Sequence, residues 1–128
     1  MPDQLITKWK ELGISLGSGE KKILVFYFSL QCGECEKWIR FLNVIHELDS
    51  SFQVWGILSR SESLSAKDEV ALLDRDYRFP IKYLNESTFL FHVPGVPTVF
   101  KVSNQEIVSR WSGDIPGEMK NLFYNLKK

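Results

Sequence analysis

The only two cysteines of this 128-residue chain, Cys32 and Cys35, lie three positions apart. A continuous apolar run, residues 23–28, precedes them and is too short for a helix, so it predicts a buried strand. After Cys35, apolar residues recur at helical spacing, namely Trp38, Phe41, Leu42, Ile45 and Leu48. We therefore expect Cys32 at the point where a strand passes into a helix, and Cys35 one turn inside that helix.

This position favours thiol chemistry. Free N–H groups and the positive end of the helix dipole meet at a helix N-terminus. They stabilise a thiolate, which lowers the pKa of a cysteine there. A thiolate attacks a disulfide sulfur to give a mixed disulfide, and a second thiol nearby can then release the substrate. We predict that Cys32 attacks and that Cys35, the more buried sulfur, resolves the mixed disulfide.

Other roles for the cysteine pair are less favoured. Cys-x-x-Cys is a common zinc half-site, and the only histidines, His46 and His92, would have to complete it. Their spacing fits no zinc-finger pattern, and His46 lies on the predicted helix of Cys35. An iron–sulfur cluster normally needs four cysteines. A purely structural disulfide would close a very short loop and add little stability. We therefore expect no metal or cofactor, and structural roles for both histidines.

The composition indicates one domain, residues 1–128. Hydrophobic residues make up 44% of the chain, enough for a single core, and sixteen basic residues balance sixteen acidic ones. No basic stripe points to nucleic acid or to an anionic membrane surface. No segment has the length of a transmembrane helix, and no signal peptide begins the chain, so we expect no membrane contact within it. The composition alone leaves the compartment open.

Strands and helices alternate along the chain, which predicts a three-layer α/β/α sandwich. Helices are predicted at residues 3–12, 33–48, 64–77 and around Phe89–Phe91, and a last helix has Pro116 in its first turn and its inner face at Met119, Leu122, Phe123 and Leu126. Strands are predicted at residues 23–28, 52–58, 80–84, 98–102 and 107–111. The last two strands form a hairpin through residues 103–106, so the central sheet is mixed. Asn85 or Ser87 is expected to cap the short helix, and Asp114 the last one.

A second candidate element is the segment Gly95-Val96-Pro97-Thr98. Taken alone, a proline that opens a strand is an edge residue with a trans peptide bond, because only about 5–6% of X–Pro bonds are cis. Together with the cysteine pair, however, the segment makes residues 20–126 resemble the thioredoxin superfamily. The resemblance implies a thioredoxin-like fold in which Pro97 is a cis proline facing the active disulfide. It also implies that Gly95 and the Val96 backbone bind an extended substrate.

Within this superfamily the chain looks most like the TlpA/ResA group of thiol–disulfide oxidoreductases. The hydrophobic strand runs into residues 29–32, a helix and strand are inserted at residues 64–84, and residues 91–100 resemble the group's y-x-v-x-G-x-P-T-x-f run. The resemblance implies an extracytoplasmic protein, periplasmic or membrane-anchored, whose leader has been removed. A chain that is complete as given would instead be cytoplasmic.

Three residues depart from the patterns of these proteins. Gln31 stands where a tryptophan usually precedes the first cysteine. Phe26 replaces the buried aspartate of thioredoxins, and Trp38 replaces the glutamate frequent in the TlpA/ResA group. The usual acidic partner in proton transfer is missing at both places. We expect this to affect the speed of exchange rather than its nature.

The residues between and after the cysteines tune the redox couple. Gly33 and Glu34 separate them, and Glu36 follows. Negative charges near a thiolate oppose the helix dipole and raise its pKa, which makes the couple more reducing. The sequence therefore predicts a reductase. Alternatively, both glutamates are solvent-facing residues of the first turn that stabilise only the helix.

We therefore expect a monomeric enzyme that exchanges a dithiol and a disulfide with protein substrates and an upstream redox donor. One alternative is a thioredoxin-like binding or adaptor domain whose cysteine pair is idle. Another is a peroxiredoxin-type peroxidase. The peroxiredoxin pattern has a proline and a threonine ahead of the reactive cysteine, whereas Ser29 lies three residues before Cys32 and no proline precedes it nearby.

Overall fold

A computed structural model of the chain describes residues 2–16, 22–29, 33–49, 51–60 and 77–127. In these ranges the helices are α1 (Pro2–Glu11), α2 (Gly33–Leu48), α3 (Glu86–His92) and α4 (Gly117–Lys127). The strands are β1 (Lys22–Phe28), β2 (Phe52–Arg60), β3 (Ile81–Asn85), β4 (Thr98–Ser103) and β5 (Glu106–Ser112). No helix in the described ranges combines the length and the hydrophobicity that crossing a membrane requires.

The five strands form one mixed sheet in the order β3-β2-β1-β4-β5. Neighbours among β1, β2 and β3 run parallel, whereas β4 is antiparallel to both β1 and β5. The central strand β1 is buried on both faces from Ile23 to Phe28, which explains why its sequence is a continuous apolar run without alternation. The predicted mixed sheet is confirmed.

Helices cover both faces of the sheet. Phe26 of β1 belongs to a core cluster with the inner side of α2 and with Met119 of α4. The next residue, Tyr27, points to the opposite face and packs in a second cluster with α1 and α3. The α2 helix buries large apolar side chains, Trp38, Phe41, Leu42 and Ile45 among them. Each contributes about 1.5–3 kcal/mol, so this face fixes α2 on the sheet. The predicted three-layer sandwich is confirmed.

Element boundaries differ from the prediction in a few places. The β2 strand runs two residues farther than expected because Ser59 and Arg60 pair with the end of β3. The strand of the predicted insertion is present as β3, while the helix predicted at residues 64–77 lies outside the described residues except for Tyr77, which is not helical. Asn85 caps α3, and its side chain accepts a hydrogen bond from the Thr88 amide at 2.8 Å.

The prediction that Asp114 caps the last helix is wrong. The α4 helix begins at Gly117, and the carbonyl of Pro116 accepts hydrogen bonds from the amides of Met119 and Lys120 at 3.1 and 3.0 Å. Proline disfavours helical dihedrals in the residue before it, so the helix cannot extend back through Ile115.

The chain turns sharply at both ends of β5. Before it, Asn104 and Gln105 have φ angles of 53° and 63° and form the predicted two-residue hairpin loop, whose twist matches that of the flanking strands. After it, Gly113 has φ 81°, a left-handed conformation that favours glycine. The segment from Gly113 onward then leads to α4.

Candidate active site

The end of β1 and the start of β4 meet at one edge of the sheet. Tyr27 pairs with Thr98 in an antiparallel register. This pair is the last one of the β1–β4 ladder, and Val96 and Pro97 lie directly before it in the chain. The carboxyl end of β1 and the Val96–Pro97 peptide therefore lie at the same edge of the sheet.

Cys35 lies in the first turn of α2 and is fully buried in the core cluster that contains Phe26 and Trp38. It is disulfide-bonded, and the sequence contains one other cysteine, Cys32. Cys32 lies outside the described residues, so its role as the attacking thiol stays a prediction. Because Cys35 is buried, its sulfur is shielded from solvent. This position suits a sulfur that reacts with another sulfur of the same protein.

The loop before β4 contains the segment Gly95-Val96-Pro97. The Val96–Pro97 peptide bond is cis. The Thr98 hydroxyl donates a hydrogen bond to the carbonyl of Gly95 at 2.8 Å, which holds the turn closed. Gly95 is exposed and Val96 is half-buried. Among the described residues, neither the N–H nor the C=O of Val96 has a hydrogen-bond partner.

Two hydrogen bonds connect this loop to α2. The Gly113 amide donates to the carbonyl of Pro97 at 3.3 Å, and the Gly113 carbonyl accepts from Nε1 of Trp38 at 2.7 Å. Trp38 is almost fully buried one turn after Cys35. Gly113 thus ties the proline loop to the helix that carries Cys35. Sequence analysis missed this connection, because Gly113 showed only as a strand breaker and its two partners are distant along the chain.

Opposite charges lie close together on the first turn of α2. Lys37 Nζ is 3.6 Å from Glu34 Oε1, with both side chains largely exposed. Gly33 and Glu36 are exposed as well. The Lys37 ammonium offsets part of the Glu34 charge, and solvent screens the remainder. The predicted influence of Gly33 and Glu34 on the redox couple stays a prediction, and this pairing reduces its expected size.

No model of a protein family matches the chain, and no curated protein matches it. Among solved structures, one assigned as thiol:disulfide interchange protein DsbE from Chlorobium tepidum has a TM-score of 0.65 at 18% identity, covering 84% of this chain and 79% of its own. StoA from Bacillus subtilis has a TM-score of 0.62 at 17% identity, covering 90% of this chain and 88% of its own.

The chain has a thioredoxin-like fold. The exposed lipoprotein thioredoxin Etrx1 from Streptococcus pneumoniae is similar over 95% of this chain and 88% of its own, with a TM-score of 0.63 at 16% identity. These structural neighbours are thiol:disulfide interchange proteins and thioredoxins, and they resemble the chain in fold.

A buried polar network lies on the other face of the thioredoxin-like sheet. The Tyr27 hydroxyl accepts a hydrogen bond from Trp9 Nε1 at 2.7 Å and lies 2.8 Å from Nδ1 of His92. Burial raises the pKa of the Tyr27 hydroxyl, and the hydrogen bond from Trp9 opposes this rise. Burial, and secondarily the charge of Lys8, lowers the pKa of His92. When the His92 ring is neutral, its Nδ1 accepts a hydrogen bond from the Tyr27 hydroxyl, so the hydroxyl both accepts and donates one.

This network makes stability depend on pH. A protonated His92 donates from both ring nitrogens, so the buried Tyr27 hydroxyl loses its acceptor. The pKa of His92 is lower in the folded state than in the unfolded chain. Neutral His92 therefore makes its full contribution to the free energy of unfolding above about pH 6.5, and this contribution declines as the pH falls toward the folded-state pKa. We expect the denaturant midpoint to fall across this window. His92→Asn, which keeps an acceptor but does not titrate, should flatten the profile, and identical profiles for both proteins would contradict this assignment.

The two histidines cannot complete a zinc site with Cys35. His46 lies eleven residues after Cys35 on α2, roughly 16 Å along the helix. Its Nδ1 accepts a hydrogen bond from the Val54 amide at 3.3 Å, whereas His92 is held by Tyr27 on the opposite face of the sheet. In the described part of the chain, no three His, Cys, Asp or Glu residues are grouped so that they could hold a metal ion.

Proposed function

We propose that this protein is a thiol–disulfide oxidoreductase that exchanges a Cys32–Cys35 dithiol or disulfide with protein substrates, acting as a reductase. The observation that carries the proposal is the backbone of Val96, which has no hydrogen-bond partner among the described residues and lies at the sheet edge where β1 ends. A polypeptide bound there by main-chain hydrogen bonds would have its disulfide next to the N-terminus of the helix that carries Cys35.

The reaction needs no cofactor. The Cys32 thiolate attacks one sulfur of the substrate disulfide, which forms a mixed disulfide and expels the other substrate sulfur as a thiolate. The Cys35 thiolate then attacks the Cys32 sulfur, releases the second substrate thiolate and leaves the protein disulfide. The substrate gains two electrons and two protons, and the protein loses them. An upstream dithiol donor must restore the reduced pair.

The residues of the proline loop bind the substrate in this scheme. The N–H and C=O of Val96 would pair with the substrate backbone, as in the addition of a strand to a sheet edge. Gly95 carries no side chain that could obstruct an approaching polypeptide, and Pro97 ends the segment where β4 begins. Main-chain pairing recognises an extended conformation rather than a particular sequence, so these contacts alone give broad specificity.

The structural neighbours support the reaction class and the compartment. Two of them are named as a thiol:disulfide interchange protein and a thiol-disulfide isomerase, and another as an exposed lipoprotein thioredoxin. By analogy we propose an extracytoplasmic, monomeric protein that acts on the thiols of envelope or secreted polypeptides.

The direction of electron flow follows from the charges beside the couple. Glu34 and Glu36 oppose the helix dipole and favour the thiol over the thiolate, an effect that the pairing of Glu34 with Lys37 reduces. A redox titration against glutathione should therefore give a potential well below that of a strong oxidant. A value near about −120 mV would contradict the assignment as a reductase.

Insulin reduction tests the function itself. In the presence of dithiothreitol, catalytic amounts of the protein should accelerate the precipitation of reduced insulin chains. The control is the same protein after reduction and alkylation of its cysteines, which should leave only the uncatalysed rate. If the untreated protein also gave only the uncatalysed rate, the domain would be a binding module with an idle cysteine pair.

A further inference from the structure

A cleft of about 270 Å³ lies between α2 and α4. Aromatic and aliphatic side chains line it, namely Phe41, Ile115 and Tyr124. The other lining residues are all cationic, namely Lys37, Arg40 and Lys120. The cleft therefore combines apolar contact surface with positive charge, and no carboxylate lines it.

The positive charge of the cleft is largely uncompensated. Lys37 approaches Glu34 on its own helix, but Arg40 and Lys120 have no ion-pair partner among the residues that the structure describes. Since the formal net charge of the chain is zero, these cations are a local feature and not a reflection of overall composition. An anionic partner would be attracted to this cleft and would pair with cations that the fold leaves available.

The cleft adjoins the candidate active site. Trp38, which donates to the Gly113 carbonyl, lies next to Lys37 in sequence, and its ring centroid is 5.9 Å from that of Phe41. Ile115 follows Gly113 by two residues, and Gly113 itself is bonded to Pro97. The proline loop and the wall of the cleft are therefore connected through Gly113, so one bound polypeptide could contact both.

We propose that the cleft binds an acidic segment of the substrate polypeptide, in which carboxylates flank one aromatic or large aliphatic side chain. The apolar side chain packs against Phe41, Ile115 and Tyr124, and the carboxylates pair with Arg40 and Lys120. This inference rests on the proposed exchange function and names the class of substrate that the site prefers. The backbone of Val96 supplies general affinity, and the cleft supplies selectivity.

Two synthetic peptides with the same internal disulfide test the inference. One carries Glu-Phe-Glu near one cysteine, and the other carries Lys-Phe-Lys there. The rate of oxidation of the reduced protein by each peptide is measured at low and high salt. We expect the acidic peptide to react about 10-fold faster at low salt, with the difference shrinking as salt screens the charges.

Charge reversal provides the matched comparison. The double variant Arg40→Glu, Lys120→Glu should lose or invert the preference, whereas Lys10→Glu, Arg110→Glu makes the same charge change away from the cleft and should keep it. Hydroxyethyl disulfide, which is small and uncharged, should oxidise all three proteins at the same rate.

The outcomes separate the two proposals. Equal rates with both peptides, despite normal reaction with hydroxyethyl disulfide, would overturn the cleft assignment and leave the exchange function standing. Binding of the wild type to vesicles of anionic phospholipid, without any preference between the peptides, would also overturn it. Failure to react with hydroxyethyl disulfide would overturn the exchange function itself.

Discussion

Replacing Cys32 with Ser is expected to lower the rate of insulin-disulfide reduction to the uncatalysed rate, a loss of about 10³-fold or more. A serine hydroxyl does not ionise near neutral pH, so the variant has no nucleophile that could open a substrate disulfide. The substitution changes one sulfur to oxygen and leaves the apolar face of α2 intact. The rate is read from the turbidity of reduced insulin with dithiothreitol as the donor.

Circular dichroism of the Cys32→Ser protein separates lost chemistry from lost structure. The variant should keep the far-ultraviolet spectrum of the wild type, because a disulfide between residues 32 and 35 closes a very short loop and adds little stability. A folded variant that still reduced insulin at the wild-type rate would show that Cys32 is not the attacking thiol.

Replacing Trp38 with Phe is expected to raise the KM for polypeptide substrates by about 10-fold or more, because the loop that holds Val96 loses its connection to α2. Phe keeps an aromatic ring near Phe26 and Phe41 but cannot donate to Gly113. The unpaired Gly113 carbonyl and the smaller ring together should lower the free energy of unfolding by about 2–3 kcal/mol. Chemical denaturation measures the stability, and peptide-disulfide kinetics measure KM.

The substitution Trp55→Phe is the matched control. The indole N–H of Trp55 is buried and has no hydrogen-bond partner in the described part of the chain, so its loss should change the stability by less than about 1 kcal/mol and leave KM unchanged. Hydroxyethyl disulfide, which does not need the loop, should oxidise both variants at the wild-type rate. An unchanged KM for polypeptides in Trp38→Phe would show that the bonds through Gly113 do not position the loop.

Trp38 and Phe26 stand at two positions where the proteins that the sequence resembles have acidic residues. Both aromatic side chains are almost fully buried, and they pack against one another at 6.3 Å between ring centroids. An ionised carboxylate there would be costly to bury without a partner. Aromatic packing and a hydrogen bond to Gly113 therefore occupy these positions, and the expected effect on the speed of exchange stays a prediction.

The parts of the fold that the sequence predicted well depend on local patterns. The apolar run of β1 and the helical spacing of α2 defined those elements to within one residue, because each pattern is created by burial of that segment alone. The last helix was placed wrongly at its start, since Asp114 is a suitable cap but Pro116 prevents the turn from forming there.

Contacts between distant segments could not be predicted in this way. The bond between Trp38 and Gly113 joins residues 75 positions apart, and the cleft depends on how α2 and α4 pack. Neither leaves a periodic signal in the chain. The Asn85 cap, by contrast, acts over three residues and was predicted as one of two candidates.

The central claim is that Cys32 attacks and Cys35 resolves, and trapping the intermediate tests it most directly. Reduced Cys35→Ser protein is mixed with oxidised insulin, quenched with acid and analysed by mass spectrometry after digestion. We predict a mixed disulfide between Cys32 and an insulin cysteine that accumulates in this variant and is short-lived in the wild type. The absence of any adduct at Cys32, in a folded protein whose remaining thiol is reduced, would contradict the account.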